Sequence, residues 1–135
     1  MASTIIPTMR YADAQKMIDW LCDTFGFERH LVVEDREGGI AHAQLTLGAG
    51  MIMLGSECDD DFGKLQSTPS TLGGISQSPY VMVPDVDAVC ERARATGAEI
   101  VMEPKDEDYG GRGFSCRDPE GQLWNFGSYD PWAGT

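Results

Sequence analysis

The chain has 135 residues and a formal net charge of −12. A chain of this length can form one compact domain with a sizeable core, whereas half of it would be only marginally stable alone. The acidity disfavours nucleic acid and anionic membrane surfaces as partners, because both repel a negatively charged protein over long distances. The sequence shows neither a basic-then-apolar leader nor a long apolar run, so we expect a cytoplasmic protein with no membrane association.

The first half of the chain predicts a strand, a helix and three more strands. Residues 4–9 form the first strand, and an amphipathic helix follows over residues 13–25, with Asp13 at its N-cap and Gly26 after its last turn. Its apolar residues recur every three or four positions, at Ala14, Met17, Ile18 and Leu21. The three β-rich segments that follow are residues 27–34, 40–47 and 51–54.

The same order of elements returns about 72 residues later. A strand is predicted at residues 79–83 and a helix at 85–96, where Asp85 and Gly97 stand at the start and the end. Three further strands follow at residues 99–103, 112–117 and 122–126. The repeat predicts an α+β fold of two βαβββ units, whose curled half-sheets surround a shared cleft.

We expect residues 1–135 to form a single domain. It comprises unit one at 4–54, a connecting loop at 55–78, unit two at 79–128 and a C-terminal tail at 129–135. The loop is rich in Gly, Ser, Thr, Pro and Asp, and it is longer than a compact domain usually tolerates. Two interpretations of the loop remain open: a slack connection between duplicated units, or a mobile flap over a pocket.

The four cysteines show no spacing typical of a metal or redox motif. Cys22, Cys90 and Cys116 lie in apolar helix or strand segments, and Cys58 lies in the connecting loop. The sequence therefore favours buried, reduced thiols.

Side-chain alternation along the strands predicts a ligand cavity. On the third strand the apolar residues Ala41, Ala43, Leu45 and Leu47 share one face, which should pack on the helix. The same phase places Ile52, Leu54, Trp124 and Phe126 on the helix side. The opposite faces are predicted to bind ligand through His42, Gln44, Met51, Met53, Tyr80, Met82, Leu123 and Asn125. A mainly apolar lining with a few polar groups is typical of small-molecule sites, so we expect a small apolar or aromatic ligand.

Two residues are candidates for further chemistry. His42 is the one cavity residue that could act as an acid or base near neutral pH, and the alternative is a hydrogen-bonded strand histidine. Arg112 follows a charged, Gly-rich segment and could pair with an anionic substrate, and the alternative is a solvated hairpin. The sequence leaves both pairs of alternatives open.

An ordered set of motifs, spanning Ile5 to about Tyr129, resembles the vicinal oxygen chelate superfamily, which includes glyoxalase I, bleomycin-resistance proteins and extradiol dioxygenases. The motifs are Met9-Arg10-Tyr11-Ala12-Asp13, Ile18-Asp19-Trp20-Leu21, Phe25-Gly26-Phe27, Val83-Pro84-Asp85-Val86-Asp87 and Asp118-Pro119-Glu120-Gly121-Gln122-Leu123-Trp124. With Tyr129-Asp130-Pro131-Trp132 near the end, the chain is similar to the PhnB-like, glyoxalase-like proteins of unassigned function. The resemblance implies the fold of that superfamily.

The resemblance also implies where a metal ion would bind. In the metal-dependent members, His, Gln or Glu side chains bind the ion at positions that correspond here to Ile6, Met53, Ser78 and Asn125. A catalytic divalent ion needs imidazole, carboxylate or thiolate ligands, which these residues do not supply. We therefore expect no metal and no cofactor, which removes the main argument for lactoylglutathione lyase or dioxygenase activity.

The sequence thus predicts a metal-independent small-molecule-binding protein of the glyoxalase and bleomycin-resistance type, which acts by sequestration or as an accessory to metabolism. The alternative is a lyase or isomerase of the same superfamily that uses His42 or an unrecognised metal site. A third class is a regulatory or scaffolding module without a small ligand. Because related proteins commonly pair their units within or across chains, and curled half-sheets leave edges to cover, we expect a homodimer.

Overall fold

The computed structural model describes residues 2–133, so Met1 and the last two residues of the predicted tail lie outside the described residues. The described chain divides into two compact units between Gly73 and Gly74. The first unit contains β1 (Thr8–Tyr11), α1 (Ala14–Phe25), β2 (Glu28–Glu34), β3 (Ile40–Leu47), β4 (Gly50–Ser56) and α2 (Pro69–Leu72). The second contains β5 (Tyr80–Met82), α3 (Val86–Ala95), β6 (Glu99–Asp106), β7 (Arg112–Arg117) and β8 (Leu123–Gly127).

Each unit is built on a four-stranded sheet with the same strand order. The order is β1-β4-β3-β2 in the first unit and β5-β8-β7-β6 in the second. In both sheets the first strand runs parallel to its neighbour, and the other pairs are antiparallel. The predicted α+β fold of two βαβββ units is therefore confirmed. The predicted cleft concerns how the two units meet, and it stays a prediction.

The repeat extends to single backbone hydrogen bonds. The N–H of Met53 donates to the carbonyl of Pro7 at 2.9 Å. At positions 72 residues further on, the N–H of Asn125 donates to the carbonyl of Pro79 at 3.1 Å. Two proline carbonyls thus fix the same strand pairing in both units.

The two predicted helices, α1 and α3, begin as the sequence predicts. The Asp13 carboxylate accepts a hydrogen bond from the N–H of Lys16, and the Asp85 carboxylate accepts one from the N–H of Ala88. These caps satisfy backbone donors that have no partner within the first helical turn. Gly26 ends α1 in the left-handed conformation, with φ of 85°.

One strand face differs from the prediction. Ala43 and Leu45 are buried, as expected, but Ala41 is exposed and Ile40 takes its place in the core. The cause is a β-bulge, because Val33 pairs with His42 and Glu34 pairs with Ile40, which leaves Ala41 as the extra residue. The predicted helix-side residues Ile52, Leu54, Trp124 and Phe126 are all buried.

Two strands differ most from their predicted bounds. The first strand is Thr8–Tyr11 instead of residues 4–9, because Pro7 lacks an N–H and pairing begins after it. The sixth strand continues past residue 103 to Asp106, and its register shifts between Met102 and Lys105, where Pro104 could not donate to the ladder. The strands at residues 40–47 and 112–117 have the predicted bounds.

The four cysteines are all free thiols, but only two of them are buried. Cys90 and Cys116 are buried as predicted, Cys22 is partly buried, and Cys58 is exposed. Burial raises the pKa of the Cys116 thiol to about 12 and also raises the pKa values of Cys22 and Cys90. Separately, no helix within residues 2–133 combines the length and the hydropathy needed to cross a membrane.

Candidate functional site

A pocket lies in each unit, beside strand residues that alternate with the buried ones. The pocket of the first unit, here called the first pocket, has a volume of about 220 Å³ and the lining includes Thr8, Arg10, His42, Met53, Phe62 and Gln66. The pocket of the second unit, the second pocket, has a volume of about 360 Å³ and the lining includes Tyr80, Met102, Tyr109, Arg112, Asn125 and Tyr129. Thr8 and Met53 of the first pocket correspond to Tyr80 and Asn125 of the second.

The first pocket places His42 next to Gln44 on strand β3. The Gln44 amide nitrogen lies 3.1 Å from His42 Nε2. An amide nitrogen can only donate, so this contact is a hydrogen bond in the tautomer whose Nε2 is unprotonated. This contact fits both interpretations of His42, a hydrogen-bonded strand histidine and an imidazole held in place for proton transfer.

The connecting loop forms a wall of the first pocket. Gln66 donates to the Thr8 carbonyl at 2.9 Å, and the ring of Phe62 lies 4.9 Å from Arg10 Cζ. The latter distance is that of a cation–π contact. Phe62 and Gln66 therefore hold the loop against strand β1 at the pocket.

A single carboxylate organises the loop behind this wall. Glu57 accepts hydrogen bonds from the hydroxyls of Ser67 at 2.8 Å, Thr71 at 2.8 Å and Thr68 at 3.1 Å. These hydrogen bonds hold the pKa of the Glu57 carboxyl below its ordinary value, and the bond from Ser67 has the largest effect. Sequence periodicity gave no sign of this arrangement, because the hydroxyl groups come from an irregular segment and the short helix α2.

Aromatic side chains surround the second pocket. The rings of Tyr109 and Tyr129 meet edge to face, with centroids 5.0 Å apart. The Tyr80 hydroxyl donates to the Tyr129 carbonyl at 2.7 Å. Burial, together with Tyr109, Tyr129 and Asp130 nearby, raises the pKa of Tyr80. The phenol therefore stays neutral at physiological pH and can serve as a hydrogen-bond donor.

Asn125 supplies a polar group in the second pocket. The Ser115 hydroxyl donates to Asn125 Oδ1 at 2.7 Å, and Asn125 Nδ2 donates to Ser78 Oγ at 2.8 Å and to the Pro79 carbonyl at 3.1 Å. Both ends of the amide are thus engaged by the second unit itself. The network fixes the orientation of the Asn125 side chain.

The residues at the superfamily's metal positions do not fit a catalytic divalent ion. Ser78 and Asn125 are hydrogen bonded to each other, and Met53 and Ile6 provide a thioether and a hydrocarbon. Within residues 2–133, no three His, Cys, Asp or Glu side chains are grouped so that they could hold a metal. The donor set therefore supports no chemical step through such an ion.

Arg112 lines the second pocket but is engaged by carboxylates. Its Nε and Nη2 donate to Asp87 at 2.9 and 3.1 Å, and Nη1 donates to Asp106 at 3.3 Å. The hydrogen bond to Asp87 raises the pKa of Arg112 and lowers that of Asp87. The structure thus favours the hairpin interpretation of Arg112 over anion binding.

The eight predicted ligand residues divide between the two units. His42 and Met53 line the first pocket, and Tyr80 and Asn125 line the second. The remaining four, Gln44, Met51, Met82 and Leu123, line neither. Sequence reasoning missed Phe62, Gln66, Tyr109 and Tyr129, which lie outside the strands and so carry no strand periodicity.

The chain has relatives that match it over most of its length. Residues 5–126 match the Glyoxalase/Bleomycin resistance protein/Dioxygenase superfamily. An uncharacterized protein of Mycobacterium bovis is 31% identical over 121 residues, which cover 90% of this chain and 80% of the relative. An uncharacterized protein of Mycobacterium tuberculosis is also 31% identical, over 90% of this chain and 71% of the relative. The chain therefore belongs to the Glyoxalase/Bleomycin resistance protein/Dioxygenase superfamily.

Solved structures show the same fold. TioX from Micromonospora sp. ML1 is 32% identical, covers 93% of this chain and 98% of its own, and has a TM-score of 0.73. A glyoxalase I mutant from Zea mays is 18% identical and has a TM-score of 0.68, over 90% of this chain and 43% of the maize chain. At that identity the maize enzyme shows the fold alone. The resemblance deduced from the sequence motifs is thus confirmed at the level of the superfamily.

Proposed function

We propose that this protein binds a small, flat aromatic or apolar molecule in the second pocket, and does so without a metal ion. The observation that carries the proposal is that Tyr80, Tyr109 and Tyr129 line one pocket together with the polar side chain of Asn125. The pocket volume of about 360 Å³ is in the range of small-molecule sites. Aromatic walls bind flat ligands through large contact areas, and the amide network sets an orientation for polar groups.

Metal independence is part of the proposal because of the chemistry of the side chains. The superfamily's four metal positions provide neither the imidazole nor the carboxylate that such ions require. Binding alone would then suffice for a role in sequestration or as an accessory to metabolism. Neither role requires a nucleophile or a Lewis acid.

A second candidate function is that of a lyase or isomerase with His42 as the acid or base. It is favoured by one observation, the contact of His42 with Gln44, which orients the imidazole in the first pocket. A positioned imidazole can transfer a proton near neutral pH. This candidate predicts a turnover that His42→Ala abolishes.

A ligand screen by thermal shift, followed by titration of matched variants, tests the proposal. Tyr80→Ala removes a wall of the second pocket and should weaken binding by about 1 to 3 kcal/mol. Met53→Ala alters the first pocket and serves as the control, with little change expected. His42→Ala should leave the affinity unchanged. A loss of affinity in Met53→Ala but not in Tyr80→Ala would place the ligand in the first pocket and contradict the proposal.

A further inference from the structure

Two glycines 72 residues apart reveal a difference between the pockets. A methyl group at Gly55 would lie 2.7 Å from Arg10 Nη1. A methyl group at Gly127, the equivalent position, would lie 2.8 Å from Tyr80 Cε1. The first unit therefore places a guanidinium over this glycine, where the second unit places an aromatic ring.

The first pocket contains a cation and an aromatic ring from its own chain. Arg10 Cζ lies 4.9 Å from the Phe62 ring centroid, and Arg10 Nη1 donates to the Ser56 carbonyl at 3.2 Å. A guanidinium near an aromatic ring at this distance is attracted by the negative face of the ring. In the first pocket, a cation–π contact therefore forms between two side chains of the protein itself, Arg10 and Phe62.

The second pocket offers aromatic rings, and its arginine is engaged elsewhere. Tyr109 and Tyr129 meet edge to face, while Arg112 donates to the carboxylates of Asp87 and Asp106. Lys105, which also lines the pocket, lies on the irregular part of β6 with an exposed side chain. Tyr80 and Tyr109 are 42% and 64% exposed, so part of each side chain is accessible to a cation from outside.

Charge favours the same kind of ligand. Glu103 and Glu107 line the second pocket alongside Lys105 and Arg112. Arg94 pairs with Glu103 at 2.7 Å, and Asp87 and Asp106 pair with Arg112, so four carboxylates stand against three cationic side chains around the pocket. The chain as a whole carries a net charge of −12. A field of this sign raises the local concentration of cations and speeds their encounter with the protein.

We propose that the second pocket binds an organic cation in which an ammonium group stands next to an aromatic ring. The ammonium group lies against the tyrosine rings, as Arg10 lies against Phe62 in the first unit, and the ligand's ring packs on Met102. This inference rests on the proposed function and adds the charge of the ligand to it. No metal ion and no covalent step are involved.

Three probes that share one ring test the charge preference: benzyltrimethylammonium, benzyl alcohol and benzoate. Binding is followed by amide chemical shifts of the ¹⁵N-labelled protein, which locate each probe. We expect the cation to shift amides around Tyr109 and Asn125 and to bind about tenfold more tightly than benzyl alcohol, with benzoate weakest.

Matched variants assign the effect to the rings. Tyr109 is 64% exposed, so its replacement does not disturb the core. Tyr109→Phe keeps the ring and should retain the preference for the cation, whereas Tyr109→Leu should reduce that preference several-fold. Phe62→Leu alters the first pocket and should leave the preference for the cation unchanged.

The outcomes separate this inference from the function on which it rests. If benzyl alcohol binds at the second pocket as tightly as the cation, the charge preference is wrong and the binding function stands. If benzoate binds most tightly, the sign of the ligand charge is wrong. If none of the probes shifts amides of the second pocket, both the inference and its parent proposal are contradicted.

Discussion

The ring of Tyr80 lies against the backbone of Gly127, in the space that a side chain at that position would occupy. A methyl group there would lie 2.8 Å from Tyr80 Cε1 and 2.9 Å from Cζ. The Tyr80 hydroxyl reaches past the glycine to the Tyr129 carbonyl, 2.7 Å away. This pair of contacts ties strands β5 and β8 to the segment that carries Tyr129, and so shapes the second pocket.

Gly127→Ala should therefore displace Tyr80 and break its hydrogen bond to Tyr129. We expect the free energy of unfolding to fall by about 1 to 3 kcal/mol, as is usual for overpacking of a tight site. Urea denaturation measures the change. Gly74→Ala is the matched control, because a methyl group at Gly74 meets nothing within 4 Å. Equal stability of the two variants would show that the Tyr80 contact does not constrain the fold.

The fold could be predicted from the sequence because helix caps and strand alternation are local patterns, and both occur in each half of the chain. Asp13 and Asp85 gave both helix starts, and strict alternation gave strand β3 its bounds. The prediction that Ala41 faces the helix was wrong because of a β-bulge. A bulge depends on pairing with the neighbouring strand, and the periodicity of a single strand does not reveal it.

The pockets were only partly predictable. Met53 and Asn125 were identified because they occupy the outward phase of predicted strands. Tyr109 precedes two glycines, Gly110 and Gly111, in a hairpin turn, and its approach to Tyr129 depends on backbone conformations with positive φ. Contacts between irregular segments leave no periodic pattern in a sequence.

The hydrogen bonds to Glu57 should make the loop at residues 57–72 sensitive to acid. The lowered pKa of Glu57 means that its stabilising contribution is present above the ordinary value of 4.5 and is lost as the pH falls through the folded-state value. Glu57→Ala should speed amide hydrogen exchange in this loop at neutral pH, while Glu37→Ala in the β2–β3 turn should not. Unchanged exchange in Glu57→Ala would refute the role of this carboxylate.

The Cys116 thiol should make the free energy of unfolding depend on pH in the alkaline range. Its thiol pKa is raised from 9.0 to about 12, so the unfolded chain loses this proton before the folded protein does. The contribution of the protonated thiol to the free energy of unfolding is fully present below pH 9 and declines between pH 9 and 12. The slope of stability against pH in that interval should be shallower in Cys116→Ala than in the unchanged protein. Identical slopes would show that the thiol is not protected from ionisation.

We also propose that the protein forms a homodimer. The outer strand β2 exposes Leu31 and Val33, at 44% and 43%, on the edge of its sheet. Exposed apolar edge strands usually need to be covered. Sedimentation velocity at micromolar concentration should give twice the mass of one chain, and Val33→Lys should shift the protein toward the monomer. A monomeric unchanged protein would contradict the dimer and leave the fold unaffected.

Calorimetric titration of metal-depleted protein tests the central claim most directly. The protein is treated with EDTA, dialysed, and titrated with an aromatic ligand from the thermal-shift screen, before and after addition of Zn²⁺ or Ni²⁺. The account predicts one ligand per chain with the same affinity in both conditions, because the binding proposed for the second pocket involves no metal. Binding that appears only after metal is added, or that Tyr80→Ala leaves unchanged, would contradict it.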